Sequence, residues 1–216
     1  GELRGADLAA SLGVDYVDTY EELFAWKPDG VIVCAENSLH RILTERAAAT
    51  GASVLCEKPL ATTVADAEAM VRACQDAGVF LMTAYPVRFA PQFQALRNVA
   101  DAGELGELLA ATGTNNGKIP VDARAWFTDP EFSGGGALVD HVVHVADLMD
   151  VLLGEQRARR VWATTNQILH RDKPGVPDGV DTGGIVTVEY EGGLQLSIDC
   201  SWSQPDSAPV WGGLTL

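Results

Sequence analysis

The protein has 216 residues, with 30 acidic against 15 basic side chains and a formal charge of −15. Hydrophobic residues at 47% and charged ones at 21% exclude a disordered chain. The acidic balance excludes phosphate-driven nucleic-acid binding, which needs a basic face, and no apolar run approaches the roughly 18 residues of a membrane span.

Residues 2–12 have the spacing of an amphipathic helix, and the chain opens there without a Met. Val31-Ile32-Val33-Cys34-Ala35 is a continuous apolar run, which predicts a strand covered on both faces. A helix follows over 39–50, with Ser38 as its cap and Gly51 as its stop. A second strand over 53–56, an Ala/Glu/Asp-rich helix over 63–77 ending at Gly78, and a third strand over 79–83 complete the run. Strand, helix, strand, helix, strand at this spacing is the pattern of a doubly wound parallel sheet. Ligands of such sheets bind beyond the carboxyl ends of the strands, which points to loops 35–40, 57–61 and 84–89.

The second half has a different texture. A helix is predicted over 89–102 and a strand over 107–114, then a turn-rich stretch over 115–136 and a helix over 137–153. Strands follow over 159–165, 183–190 and 194–202, with an irregular Gly/Pro-rich loop over 165–181. Glu191-Gly192-Gly193 is a hairpin turn, so this half is an α+β domain with a mostly antiparallel sheet. Residues 213–216 read as a strand just beginning. The expected architecture is two domains, 1–85 and 86–216. Cys34, Cys56, Cys74 and Cys200 form no C-x-x-C pair, which predicts buried, reduced thiols in a cytoplasmic protein.

Two constellations carry chemistry. Lys58, in Glu57-Lys58-Pro59 directly after a buried strand, points at the cleft where a ligand would lie; the plainer reading is a surface Lys-Pro turn. Asp140, His141, His144 and Asp147 sit in an otherwise apolar helix, with Asp140 and His144 one turn apart on one face. Burying a carboxylate and an imidazole is costly unless they pair or serve a site. The alternatives are a structural Asp–His bond and a metal cluster, and the zinc-protease spacing is absent. Gly134-Gly135-Gly136 satisfies neither G-x-G-x-x-G nor the P-loop pattern, so these glycines are expected to permit close backbone approach.

Ala35-Glu36-Asn37-Ser38-Leu39-His40, Cys56-Glu57-Lys58-Pro59-Leu60, Tyr85-Pro86-Val87-Arg88-Phe89 and the run from Gly134 to His144 stand in one order and register. Together they resemble the glucose–fructose oxidoreductase/inositol dehydrogenase/rhizopine catabolism (Gfo/Idh/MocA) family, as do Val180-Asp181-Thr182 and Cys200-Ser201-Trp202-Ser203. The resemblance implies a Rossmann domain, a C-terminal sheet domain and an NAD- or NADP-dependent oxidoreductase acting on a secondary alcohol of a sugar, sugar acid or cyclitol. It implies Lys58, Asp140 and His144 as catalytic residues, with His144 the acid/base and Asp140 steadying its charged form. It places Ala35, Asn37, His40, Glu57, Lys58, Pro59 and Arg88 at the cofactor, and it implies a homo-oligomer, dimer or tetramer, through the C-terminal sheet.

Substrate contacts are expected from Asn116 and Lys118 in the polar segment 114–118, from His141, and from Trp126 as a ring wall; a polar turn and core packing are the plainer readings. Two departures from the family stand out. Glu36 replaces a common Pro, and the first βαβ unit with its glycine-rich pyrophosphate turn is not in the sequence. The chain is therefore expected to be truncated at both ends, from a protein of roughly 330–400 residues. Non-catalytic sensors of the same fold, and a metal-assisted lyase or hydrolase, are the other functional readings.

Overall fold

A computed structural model describes residues 2–120, 126–154, 156–168, 170–172, 179–205 and 212–215. Two helices, α1 (Glu2–Leu12) and α2 (Tyr20–Ala25), precede strand β1 (Gly30–Val33). A 3-10 turn, Asn37–Leu39, leads into α3 (His40–Ala49), followed by β2 (Ser53–Cys56), α4 (Val64–Ala77) and β3 (Leu81–Thr83). These strands form a parallel sheet in the order β1-β2-β3. Thr63 caps α4 by accepting the Asp66 N–H, and Gly78 ends it in the left-handed region at φ 68°. The α3 start differs from expectation: Ser38 lies inside the 3-10 turn, and Leu39 stands at the cap with no side-chain bond.

Ala47, Ala48, Val54, Cys56, Met70 and Cys74 form a buried core between the sheet and α3 and α4. The apolar run at β1 is covered less completely than its composition predicts. Val33 is buried, but Ile32 is 68% exposed because its side chain points to the opposite face of the sheet. Cys34 is exposed where a buried thiol was expected, because β1 ends one residue before it; the other three cysteines are buried.

The second half begins with a 3-10 turn at Pro86–Phe89, then α5 (Pro91–Asp101), β4 (Ala110–Asn116), the one-turn α6 (Pro130–Ser133) and α7 (Ala137–Leu153). Strands β5 (Ala158–Asn166), β6 (Gly183–Tyr190), β7 (Gln195–Ser201) and β8 (Gly212–Thr215) follow. They make a five-stranded sheet in the order β5-β6-β7-β4-β8. The sheet is antiparallel except for the β4–β7 pair, which is parallel. Apart from the ends of β4 and β5 and the one-turn α6, the 115–136 and 165–181 segments are irregular where described; residues 121–125, 169 and 173–178 of them, and Leu216 at the last predicted strand, lie outside the described residues.

α7 has two stripes. Leu138, Val142, Val145, Met149 and Leu152 pack on Val186, Leu196 and Ile198 of the sheet, each fully buried side chain worth about 1.5–3 kcal/mol. Asp140, His144 and Asp147 share another face. The N-terminus of α7 is capped from a distance. Asp181 accepts the N–H groups of Gly136 at 3.1 Å and Leu138 at 2.9 Å, and its carbonyl accepts that of Ala137 at 2.9 Å. The glycines act as expected: a Cβ on Gly136 would overlap the Asp181 carbonyl, and one on Gly134 (φ +80°) would lie 2.8 Å from Thr62 Cβ. Among the described residues no helix is long and apolar enough to cross a membrane.

Candidate active site

The carboxyl ends of β1 and β2 face the α7 stripe and the end of β4 across a cleft of about 430 Å³. Its walls are Cys34, Ala35, Asn37, Glu57 and Lys58 on one side, and Asn115, Gly117, Lys118, Trp126, Phe127, Asp140, His141 and His144 on the other. Two of the three expected loops, 35–40 and 57–61, contribute to it.

Lys58 is the central cation. Its Nζ donates to Asp140 Oδ1 at 2.6 Å and to the Asp140 carbonyl at 3.1 Å. The side chains are 18% and 16% exposed, so this is an enclosed pair rather than a surface bridge. The Lys58–Pro59 peptide is cis, and Glu57 Oε2 accepts the Lys58 N–H at 3.2 Å.

Asp140 has three partners besides its own backbone. Oδ2 accepts from Trp202 Nε1 at 3.1 Å and lies 3.1 Å from His141 Nε2. Burial alone would raise the pKa of this carboxyl, but the His141 hydrogen bond and the Lys58 charge prevail and hold it well below the usual carboxylate range. His141 Nδ1 is 2.7 Å from the Asn115 carbonyl. Both ring nitrogens thus face oxygen atoms.

This corrects the expected Asp140–His144 pairing. Sharing a helix face does not join them, because Lys58, Trp202 and His141 occupy the carboxylate. His144 Nδ1 is buried with no hydrogen-bond partner among the described residues. Burial, then the Lys58 charge, push the imidazole down to about 4, so His144 is neutral at pH 7 rather than held in its charged form.

Other expected site residues fall in different places. His40 is fully buried and bridges two loops, with Nδ1 2.9 Å from the Pro59 carbonyl and Nε2 3.2 Å from the Ala35 carbonyl. It shapes the cleft wall without lining it. Asn37 lines the cleft and donates to the Ser133 carbonyl at 2.8 Å, joining the parallel-sheet half to α6. Arg88 does not reach the cleft: its guanidinium forks onto Asp147. Asn116 points away, accepting from Ser201 Oγ at 2.8 Å on the paired strand. Its neighbour Asn115 is the cleft residue, because successive strand side chains alternate faces. Lys118, Trp126 and His141 line the cleft, and Trp126 and Phe127 stack with ring centroids 3.9 Å apart.

Sequence reasoning did not single out Asn115 as the cleft residue of its segment, Trp202 as a donor to Asp140, or Asp181 as the cap of α7. Trp202, 1% exposed, carried one signal: an indole N–H at a strand end needs a buried acceptor. The Asp140–Asp147 stripe does not act as one acidic cluster, since each carboxylate has its own cation. Among the described residues no three His, Cys, Asp or Glu side chains are arranged to hold a metal ion.

Residues 1–85 match the oxidoreductase family with an NAD-binding Rossmann fold, and residues 93–212 match the GFO/IDH/MocA C-terminal domain. The chain is 36% identical over 184 residues to 1,5-anhydro-D-fructose reductase of Ensifer adhaerens, covering 84% of this chain and 54% of that protein. It is 32% identical over 208 residues to an NADP-dependent D-xylose 1-dehydrogenase of Haloferax volcanii, covering 95% and 61% respectively. The chain thus spans little more than half the length of these relatives. GenD2 from gentamicin A biosynthesis, solved in complex with NAD, superposes with a TM-score of 0.87 at 28% identity over 96% of this chain and 58% of that one.

Proposed function

The chain belongs to the Gfo/Idh/MocA family of oxidoreductases, with its Rossmann and C-terminal domain types, and from that premise we propose that it moves a hydride between a secondary alcohol of a sugar, sugar acid or cyclitol and NAD or NADP. The observation that carries the reading is the convergence of Lys58, Asp140 and His144 on one cleft at the carboxyl ends of a parallel sheet. Sugar-directed relatives and an NAD-bound structural neighbour support it.

The cleft fits the nicotinamide end of such a cofactor. Ala35, Asn37, Glu57 and Lys58 offer a mixed apolar and polar wall at the strand ends, where dinucleotides bind in this type of sheet. When bound, the nicotinamide supplies the hydride acceptor or donor. This chain's residues handle the proton and the charge. His144, neutral at pH 7, takes the hydroxyl proton as general base. Lys58, fixed by two bonds to Asp140, stabilises negative charge developing on the same oxygen. Asp140 is a positioning anion for Lys58 rather than a partner of His144. Asn115, His141, Lys118 and Trp126 form the substrate wall.

The same reading divides the chain into a cofactor domain over 1–85 and a substrate domain over 86–216, in a cytoplasmic protein. It also assigns a homo-oligomer to the sheet face opposite α7, where Trp162 and Ile185 are 52% and 51% exposed. Light scattering on wild type and Trp162→Glu tests that assignment; a wild-type monomer ends it.

Absorbance at 340 nm with a polyol and sugar panel, using NAD and NADP in turn, tests the activity. Turnover that His144→Gln lowers about 10²–10⁴-fold is expected. Cofactor binding without turnover on any polyol would replace the enzyme by a sensor of the same fold.

A further inference from the structure

α7 is tied at two points on one face, once to the first half of the molecule and once to the 3-10 turn that opens the second. Asp140 takes Lys58, and two helical turns later Asp147 takes Arg88, whose Nε donates to Oδ2 at 3.0 Å and whose Nη2 donates to Oδ1. His144 lies between the two anchors, four residues after the first and three before the second. The second anchor stands outside the cleft. Asp147 is 5% exposed, and Arg88 is held in turn beside the Tyr85 ring, 5.9 Å from its centroid.

We propose that Arg88 is a positioning residue for His144: its fork on Asp147 fixes the turn of helix that carries the imidazole and cancels the carboxylate charge beside it. The inference rests on the reading of His144 as the base. Among the described residues, the charged and titratable groups acting on His144 are Lys58 from the loop after β2, and Asp140, His141 and Asp147 from α7. The side chains that β4 and α5 bring to the adjoining pocket, among them Thr114, Asn115 and Gln92, are uncharged. Asp140 is shared by Lys58, His141 and Trp202. Among the described residues, only Arg88 gives Asp147 a side-chain hydrogen bond or ion pair. A buried carboxylate one turn from an imidazole draws a proton onto it unless a cation covers the carboxylate. Arg88 is that cover, and its planar fork, unlike a lysine, also fixes orientation.

The test is the titration of the His144 ring, followed by NMR of nitrogen-15-labelled histidine in wild type, Arg88→Met, Asp147→Asn and the double variant. Arg88→Met is expected to raise the His144 midpoint by about one pH unit, and Asp147→Asn to lower it, as loss of cation and of anion respectively require. The double variant returns close to wild type, because both charges are gone. An unmoved midpoint in Arg88→Met, or a double variant that stays with the single one, overturns the proposal. If Arg88→Met does not fold, Asp147→Asn decides: a midpoint equal to wild type overturns it. Failure of the base reading is seen separately, as undiminished turnover in His144→Gln with the midpoint shifts intact.

Discussion

The ammonium of Lys58 lies 2.6 Å from Oδ1 of Asp140, a residue 82 positions further along the chain. That bond joins the end of a parallel strand to the middle of the helix that closes the site. It sets the direction of the lysine, and it removes Asp140 from the role that its helical spacing to His144 suggested.

Lys58→Met should therefore cost both rate and stability. With 18% and 16% exposure of the two side chains, loss of the cation leaves a largely buried carboxylate, a change worth about 3–5 kcal/mol. His141 and Trp202 still hold that carboxylate, so the lower figure is expected. Urea titration measures it, and turnover of the folded fraction should fall by orders of magnitude.

Trp202→Phe keeps the buried ring and deletes the N–H that bonds Asp140 Oδ2 at 3.1 Å. A hydrogen bond to a charged group contributes about 1.5–3 kcal/mol, so a stability loss in that range is expected by denaturant unfolding. With the carboxylate less firmly held, Lys58 loses orientation and kcat falls while KM changes little. Unchanged stability together with unchanged kcat would separate Trp202 from the site.

His144 makes stability pH-dependent. Its folded value of about 4 lies below the ordinary 6.5, so between those values the unfolded chain binds a proton that the folded chain refuses. Stability is then fully present above about pH 6.5 and declines as pH falls toward 4, by about 2 kcal/mol between pH 7 and pH 5. Asp140, held below its ordinary value of 3.8, adds a further loss at lower pH as its carboxylate is protonated. Unfolding at pH 7 and pH 5 should show the first decline in wild type and its absence in His144→Gln. The acid limb of kcat/KM should likewise lie nearer 4 than 6.5.

Gly136→Ala should be among the most damaging single-methyl changes in the protein. The added Cβ would overlap the Asp181 carbonyl oxygen and press on Val180 Cγ1 at 2.7 Å. Asp181 supplies the cap of α7 through Gly136, Ala137 and Leu138, and loss of a helix cap costs about 0.5–2 kcal/mol before the steric term is added. Thermal unfolding should show the drop. Gly51→Ala is the comparison, because it meets no atom within 4 Å and tests only the strain of its φ of +85°.

Local chemistry was enough for much of the fold. α7 is bounded at Ala137 and Leu153 as its periodicity predicts, and β6 at Gly183 and Tyr190. α4 lies between a Thr cap and a left-handed glycine, both readable in sequence. Those signals work because a helix turn or hairpin is decided within a few residues. β4 was misplaced by two to three residues because its limits follow its register on β7, from Ala110↔Gln195 to Asn116↔Ser201. That pairing leaves no local mark.

The sequence by itself determined which side chains gather at the site: Lys58 after a buried strand, and Asp140, His141 and His144 on one apolar helix. Only the tertiary structure decided how they are wired. Which acceptor an ammonium meets, which of two adjacent asparagines faces the cleft, and whether a histidine lines a wall or braces two loops behind it depend on groups tens of residues apart. Electrostatics and hydrogen bonding act over a few ångströms of space, whatever the separation along the chain. Lys58 thus meets Asp140, His40 braces the carbonyls of Ala35 and Pro59, and Arg88 turns from the cleft to Asp147.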